Sequence, residues 1–106
     1  MLTKNKRLNR QEIAFLKDLG RKEKIIQGSF FGLVFQKTNQ SGKFGVIISN
    51  KISSRAVERN RIKRLLYRAI GNKMADGTGL FLFLAKKPCL EASLESFEKE
   101  LENFNV

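Results

Sequence analysis

The chain contains no histidine and a single cysteine, Cys89. One cysteine cannot form an internal disulfide, and without histidine there is no Cys/His set with metal-ligand spacing. The side chain that most often acts as a general acid or base near neutral pH is therefore missing. Cys89 follows Pro88, and we interpret it as a small, partly buried structural residue.

Long apolar runs are also missing. The longest, Leu80 to Ala85, has the length of a strand, whereas a membrane-spanning helix needs roughly 20 apolar residues. The region after Met1 has no signal-peptide core, and no repeat or linker divides the 106 residues. This length suits one domain, and 42% hydrophobic residues suffice for a core. We therefore expect a single cytoplasmic domain over residues 1–106.

Positive charge is what the chain has in excess. The formal net charge is +11, from 21 Lys and Arg against 10 Asp and Glu. Residues 1–90 hold 20 basic and five acidic side chains, a net +15, whereas residues 91–106 hold five Glu and one Lys, a net −4. The field of this basic body attracts polyanions, and nucleic acid is the partner class that it indicates.

The segment 55–70 concentrates this charge on an amphipathic helix. Six of its sixteen residues are Lys or Arg, and only Glu58 is acidic. At 100° per residue, Arg61, Arg64 and Arg68 group on an arc away from the apolar side chains. Guanidinium groups bind phosphates as planar, bidentate donors, so this helix is a candidate for contact with a nucleic-acid backbone. The predicted apolar arc consists of Ile62, Leu65, Leu66, Ala69 and Ile70.

The remaining pattern predicts an α+β fold, a small α/β sandwich in which helices cover a mixed sheet. Residues 1–8 are a basic arm, and residues 91–106 belong to an acidic amphipathic helix. We expect the first two strands to form an antiparallel hairpin, the third to be central, and 43–85 to be a β-α-β unit. The predicted strands are 27–37, 44–49 and 80–85, and residues 39–42 form a turn between the first two.

The predicted helices are 10–19, 54–70 with Ser53 or Ser54 as N-cap, and 90–104. Asn9 and Glu12 resemble a capping box at the start of the first helix, and Gly20 is its suggested end. The last helix carries an apolar seam, formed by Leu90, Leu94, Phe97, Leu101 and Phe104.

The run from Glu58 to Leu65 reads Glu-Arg-Asn-Arg-Ile-Lys-Arg-Leu. It resembles the hallmark of the protein subunit of bacterial ribonuclease P, which is an Arg-Asn-Arg run followed by an aliphatic residue, Lys and Arg. Other segments agree with that family: a basic arm ending in Arg-Leu at residues 7–8, an aliphatic strand leading into Lys51, and an apolar strand from Phe81 to Pro88. The resemblance covers essentially the whole chain.

The resemblance implies a subunit that binds the catalytic RNA of ribonuclease P and helps it remove the 5′ leader from precursor tRNA. It implies that the RNA holds the Mg²⁺ and that the protein itself binds no cofactor. It also implies a left-handed β-α-β crossover, against the usual right-handed rule. The residues expected at the catalytic RNA are Lys51, Arg55, Arg59, Asn60, Arg61, Lys63, Arg64 and Arg68.

The family also implies a cleft between the first helix and the sheet that receives the single-stranded leader. Aromatic rings suit a flexible single strand, because bases stack on rings without a sequence requirement. For the leader we therefore expect Arg7, Phe15, Phe31 and Phe35, with packing in the core as the alternative for each phenylalanine. We expect no residue of the chain to be catalytic or to bind a metal.

Two other classes of function stay open. A ribosomal or translation-associated RNA-binding protein shares the charge, size and fold class, but has no reason to carry the run Arg59–Arg64. Co-purification with one structured RNA or with ribosomal subunits distinguishes the two. A self-sufficient nuclease needs a general base or a carboxylate cluster for a metal, and the candidates Glu12, Asp18, Glu58 and Asp76 do not pair at a suggestive spacing.

Overall fold

The computed structural model describes residues 6–22, 25–49, 51–74 and 77–103. Within these ranges the elements confirm the predicted α+β class. Residues 1–5 of the predicted arm, Asp76, and residues 104–106 of the predicted last helix lie outside them. The elements are α1 (Arg10–Lys22), β1 (Ile26–Gln27), β2 (Phe31–Ser41), β3 (Lys43–Ile47), α2 (Ala56–Lys73), β4 (Thr78–Ala85), a 3-10 helix (Lys87–Glu91) and α3 (Leu94–Asn103).

The described strands form one mixed sheet in the order β1-β2-β4-β3. β4 pairs antiparallel with β2 and parallel with β3, which confirms the interior position predicted from its apolar residues. The predicted hairpin is wrong, because β4 lies between β2 and β3. In the register, Phe81 of β4 is paired with Phe35 on one side and with Phe44 on the other.

The chain passes from β2 to β3 at Gly42, beside the start of β4. Ser41 pairs with Thr78, and the N–H of Gly42 donates to the carbonyl oxygen of Gly77 over 2.8 Å. A Cβ at residue 42 would lie 2.5 Å from that oxygen, so glycine is required there. The predicted turn segment thus carries the chain around the end of β4, and β3 pairs on the far side.

The predicted β-α-β unit is confirmed, since β3 and β4 are parallel neighbours joined through α2. Its hand stays a prediction of the family resemblance. Beyond β3, the end of the basic arm extends the sheet: Arg7 forms a parallel bridge with Phe44, and the N–H of Leu8 donates to the Phe44 carbonyl oxygen over 3.0 Å. This pairing holds Arg7 and Leu8 alongside the edge strand.

The two faces of the sheet carry separate apolar clusters, because side chains alternate along each strand. In β4, Phe83 belongs to the cluster beneath α2 and α3, whereas Leu82 belongs to the cluster beneath α1. On the α2 and α3 side the rings of Phe31 and Phe83 meet edge to face at 5.2 Å. This separation places the two helix layers, and the surfaces they expose, on opposite sides of the sheet.

The first helix begins with the predicted capping box. The N–H of Glu12 donates to Asn9 Oδ1 over 2.8 Å, and the N–H of Asn9 donates to Glu12 Oε1 over 2.9 Å. The helix continues past Gly20, which the sequence suggested as its end. A Cβ at residue 20 would lie 3.0 Å from Cγ2 of Val34, so this glycine allows α1 to approach the sheet closely.

The last helix begins at Leu94, four residues later than predicted. Pro88 opens a 3-10 helix in the intervening segment, and Ser93 Oγ then accepts a hydrogen bond from the N–H of Ser96 over 3.2 Å. The predicted apolar seam is confirmed at Phe97 and Leu101, which are buried. Within the described residues, the predicted acidic helix is thus an α-helix from Leu94 to Asn103, preceded by a 3-10 helix.

Cys89 is fully buried in that 3-10 helix. Its thiol donates to the carbonyl oxygen of Phe30 over 2.7 Å, and burial raises the pKa of the thiol to about 11. A thiol that stays protonated at neutral pH is a poor nucleophile. Cys89 is therefore the structural residue that the sequence suggested, although fully rather than partly buried.

Glu100 of α3 holds the turn before β2. Its carboxylate oxygens accept hydrogen bonds from the backbone N–H groups of Ser29, Phe30 and Phe31, over 2.6, 2.9 and 3.2 Å. The carboxyl carbon lies so close to Gly28 that a Cβ there would approach it to 2.8 Å. One side chain thus joins the last helix to the β1–β2 turn.

We expect Glu100→Gln to lower the free energy of unfolding by roughly 1.5–3 kcal/mol, because hydrogen bonds to a charged group are stronger than neutral ones. Urea denaturation followed by circular dichroism measures the change. Glu95→Gln is the matched control, since Glu95 is an exposed carboxylate of the same helix. Equal losses in both variants would contradict the role of Glu100.

Candidate RNA-binding surface

The buried side of α2 is the predicted apolar arc. Ile62, Leu66, Ala69 and Ile70 are fully buried, and Leu65 is half-buried against the same cluster. The prediction of this arc is therefore confirmed. Because it packs α2 on the sheet, the opposite side of the helix is held in a fixed orientation toward solvent.

The exposed side of α2 carries four of the eight predicted RNA-contacting residues. We call Asn60, Lys63, Arg64 and Arg68 the α2 basic face; all four are exposed. Lys51 and Arg55, which precede the helix, are exposed too. Among the described residues, none of the three cations of this face forms an ion pair with a carboxylate. These groups are available to an external anion.

Arg59 and Arg61 also form hydrogen bonds within the protein. Both are half-buried; Nη1 of Arg59 donates to the carbonyl oxygen of Ser53 over 2.8 Å, and Nη2 of Arg61 donates to that of Leu90 over 2.9 Å. The two arginines of the Arg-Asn-Arg run thus hold the loop before α2 and the 3-10 helix. A guanidinium has five N–H donors, so each retains donors for a phosphate.

The start of α2 differs slightly from the prediction. Arg55 is the N-cap residue, and its side chain makes no capping hydrogen bond. Ser53 lies two residues earlier, where its Oγ accepts from the N–H of Arg55 over 3.1 Å and donates to Glu58 over 2.8 Å. The predicted N-cap at Ser53 or Ser54 is therefore wrong. The contact with Ser53 also holds Glu58, the single acid of the run, at the loop before α2.

Arg7 lies with α2. Its guanidinium carbon is 4.9 Å from the centre of the Tyr67 ring, and both residues line a pocket of about 510 Å³ with Val57, Asn60 and two cations of α2. Burial raises the pKa of Tyr67, whereas a backbone hydrogen bond with Val46 and the charge of Arg7 act to lower it. The family resemblance implies a place for Arg7 beside Phe15 at the leader, but the bridge to Phe44 directs the Arg7 side chain to the α2 side of the sheet.

Tyr67 and Val57 were not among the sequence candidates. Both follow from helical spacing, since Tyr67 lies four residues after Lys63 and three after Arg64, and Val57 lies three before Asn60. Val57 is 79% exposed, more than any other large apolar side chain of the described residues. The remaining lining residues of the pocket are Lys63 and Arg64.

Two of the aromatic residues predicted at the leader are unsuitable. Phe31 is completely buried, so no base can reach its ring and its predicted contact with the leader is wrong. Phe35 is half-buried with its ring 4.7 Å from that of Phe81. Both belong to the cluster beneath α2 and α3, whereas α1 covers the other face. Phe15, on α1, is 52% exposed and stays a candidate.

Neither a membrane span nor a metal cluster is found in the part of the chain that the structure describes. None of its helices is both long enough and apolar enough to cross a bilayer. In the same ranges, no three Cys, Asp or Glu side chains come together in an arrangement that could hold a metal ion.

Comparison with known proteins decides the family. A family model described as Ribonuclease P matches residues 2–105. The chain belongs to the ribonuclease P protein family. A ribonuclease P protein component from Bacillus cereus is 34% identical, over an alignment that covers 79% of this chain and 86% of that protein. The resemblance noted at Glu58 to Leu65 is thereby confirmed.

Solved structures of ribonuclease P proteins share the fold. The Staphylococcus aureus protein matches with a TM-score of 0.71 and 18% identity, over 92% of this chain and 89% of that one. The Thermotoga maritima protein matches with a TM-score of 0.71 and 19% identity, over 92% of each chain. At such low identity these ribonuclease P structures support the arrangement of helices and strands alone.

Proposed function

We propose that this chain is the protein subunit of ribonuclease P, which binds the catalytic RNA through α2 and helps it remove the 5′ leader from precursor tRNA. The observation that carries the proposal is the α2 basic face, whose cations form no ion pair with a carboxylate among the described residues. A helix of 18 residues packed on a sheet keeps these donors in register, which suits the phosphates of a structured RNA.

The hydrolytic chemistry is assigned to the RNA subunit. Cleavage of a phosphodiester needs an activated water and stabilisation of the leaving oxygen, usually from positioned metal ions or an acid-base pair. The chain has no histidine, and half of its ten carboxylates lie in residues 91–106. We assign the binding of Mg²⁺ to the RNA. The basic protein is assigned a different task, which is to lower the repulsion between the catalytic RNA and precursor tRNA. Such a subunit acts where precursor tRNA is made, so a cytoplasmic location is part of the proposal.

Reconstitution tests this function. The protein alone is expected to bind precursor tRNA weakly and to cut nothing, even with ample Mg²⁺. Adding a ribonuclease P RNA is expected to produce one cut at the 5′ end of the mature tRNA, at Mg²⁺ concentrations too low for the RNA alone. Cleavage by rigorously RNA-free protein, abolished by a single carboxylate substitution, would overturn the assignment.

Phe15 is the remaining aromatic candidate for the leader. We expect Phe15→Ala to weaken binding of precursor tRNA to the assembled enzyme by about 1–3 kcal/mol, the range for one base stacked on an aromatic ring. Binding of mature tRNA should not change, because it has no leader. Titration of the assembled enzyme with each RNA measures the difference, and Phe15→Leu tests whether the ring is needed. Equal loss for both RNAs would indicate a packing role instead.

A further inference from the structure

The pocket between the basic arm and α2 has features that a plain phosphate-binding surface does not need. Its volume of about 510 Å³ lies within the range of small-molecule sites. Its lining combines the apolar surfaces of Val57 and Tyr67 with three cations, Arg7, Lys63 and Arg64. None of the described residues that line it carries a carboxylate. A ligand that fits must therefore be anionic and must also present an apolar surface.

Arg7 supplies a second, independent indication. Its Nε is buried, and within the described residues it has no hydrogen-bond partner. A buried donor without a partner costs free energy, so this N–H group is suited to an acceptor that a ligand brings to the pocket. The guanidinium is held against the Tyr67 ring at 4.9 Å, and the backbone bridge to Phe44 fixes the residue in this position.

We propose that this pocket binds a single unstacked nucleotide of an RNA partner. The phosphate lies at Lys63 and Arg64, and the base lies on the guanidinium of Arg7, which covers the buried Tyr67 ring, with Val57 at its edge. Bases stack on guanidinium planes as well as on aromatic rings, and a base removed from its stack buries apolar area. The proposal rests on the proposed RNA-binding function and adds to it that one nucleotide is held by its base as well as by its phosphate.

Asn60 indicates which base suits the pocket. Its side-chain amide presents a donor and an acceptor side by side, and this pair complements the N7 and N6 groups of adenine. Because Asn60 lies on the exposed side of α2 beside Arg64, the amide is accessible from the pocket that both residues line. Adenosine 5′-monophosphate, whose base offers both groups, is therefore the appropriate probe.

Tyr67 is the only tyrosine of the chain, so ring-labelled tyrosine gives NMR signals from this pocket alone. We expect the whole protein, titrated at constant ionic strength, to bind adenosine 5′-monophosphate about tenfold more tightly than inorganic phosphate, as one stacked base predicts. Both should shift the Tyr67 signals in a saturable way. Equal affinities would overturn the base-binding proposal in favour of a phosphate site, and unshifted Tyr67 signals would overturn the pocket.

Two variants test the named contacts. Arg64→Ala should weaken binding of the nucleotide by about tenfold, the typical loss for one arginine contact to a nucleic acid. Arg21→Ala removes the same charge from an exposed position of α1 and should leave the affinity unchanged. An equal effect of both variants would mean that only net charge matters and would overturn the site.

Arg7→Met distinguishes ligand binding from a structural role. It removes the unpartnered buried donor, so the thermal midpoint should not fall while the affinity for the nucleotide does. A lower midpoint with unchanged affinity would overturn the assignment of Arg7. The titration contains only protein and nucleotide, so failure to bind the nucleotide would overturn the pocket without affecting the cleavage test of the reconstituted enzyme. Likewise, failure of the cleavage test would not affect the result of the titration.

Discussion

Combining Arg64→Ala with Arg68→Ala is expected to weaken binding of a ribonuclease P RNA by roughly 2–6 kcal/mol, since each arginine contact contributes about 1–3 kcal/mol. Both side chains are exposed on the α2 basic face and form no ion pair within the described ranges. The pair is preferable to Arg59 and Arg61, because these two also hold neighbouring segments and their loss would disturb the fold. Circular dichroism should show the double variant folded.

Salt dependence identifies the loss as electrostatic. Each lost phosphate contact should reduce the slope of log affinity against log salt by roughly 0.7–0.9, so the difference from the parent protein should shrink at high salt. Arg10→Ala with Arg21→Ala is the matched control, since it removes the same charge from exposed positions of α1. Unchanged RNA affinity in a folded Arg64 and Arg68 variant, or an equal loss in the control, would contradict the assignment.

Phe97→Ala is expected to lower the free energy of unfolding by about 3–5 kcal/mol, the usual loss for a buried phenylalanine. Phe97 is completely buried, and its ring meets Phe30 edge to face at 5.8 Å and Phe31 at 6.1 Å. Its removal leaves a cavity between α3 and the sheet. Because small domains are stable by only about 5–15 kcal/mol, this is a large share of the total.

Chemical denaturation at constant temperature measures this loss. Phe15→Ala is the control, because it removes the same ring from a half-exposed position of α1 and should change stability by roughly 0.5 kcal/mol or less. The two variants thus separate core packing from leader binding. A loss at Phe97 as small as that at Phe15 would contradict the packing of α3.

Local patterns predicted the helices well. Helical periodicity assigned the buried residues of α2 and the seam of α3, and the Asn9–Glu12 capping box marked the start of α1. Apolar residues on both faces predicted the interior position of β4. These features depend on residues within a few positions of each other, so they can be read from one segment at a time.

Contacts between distant segments were not predictable in this way. The strand order depends on Gly42, whose close approach to Gly77 carries β3 to the far side of β4. Phe31 is buried because it lies on the sheet face that α2 and α3 cover. Phe15 lies on α1 and is exposed. Alternation along β2 separates two faces but does not say which helix covers each.

By itself the sequence determined the basic helix, its apolar arc, the family and the class of partner, because charge and periodicity are properties of short segments. The tertiary structure alone decided what the side chains of that helix contact. It joined Arg7 to Tyr67 across some sixty residues, tied Arg59 and Arg61 to Ser53 and Leu90, and left Arg64 and Arg68 exposed. The physical reason is that such contacts form only when sheet pairing and helix packing bring distant segments together.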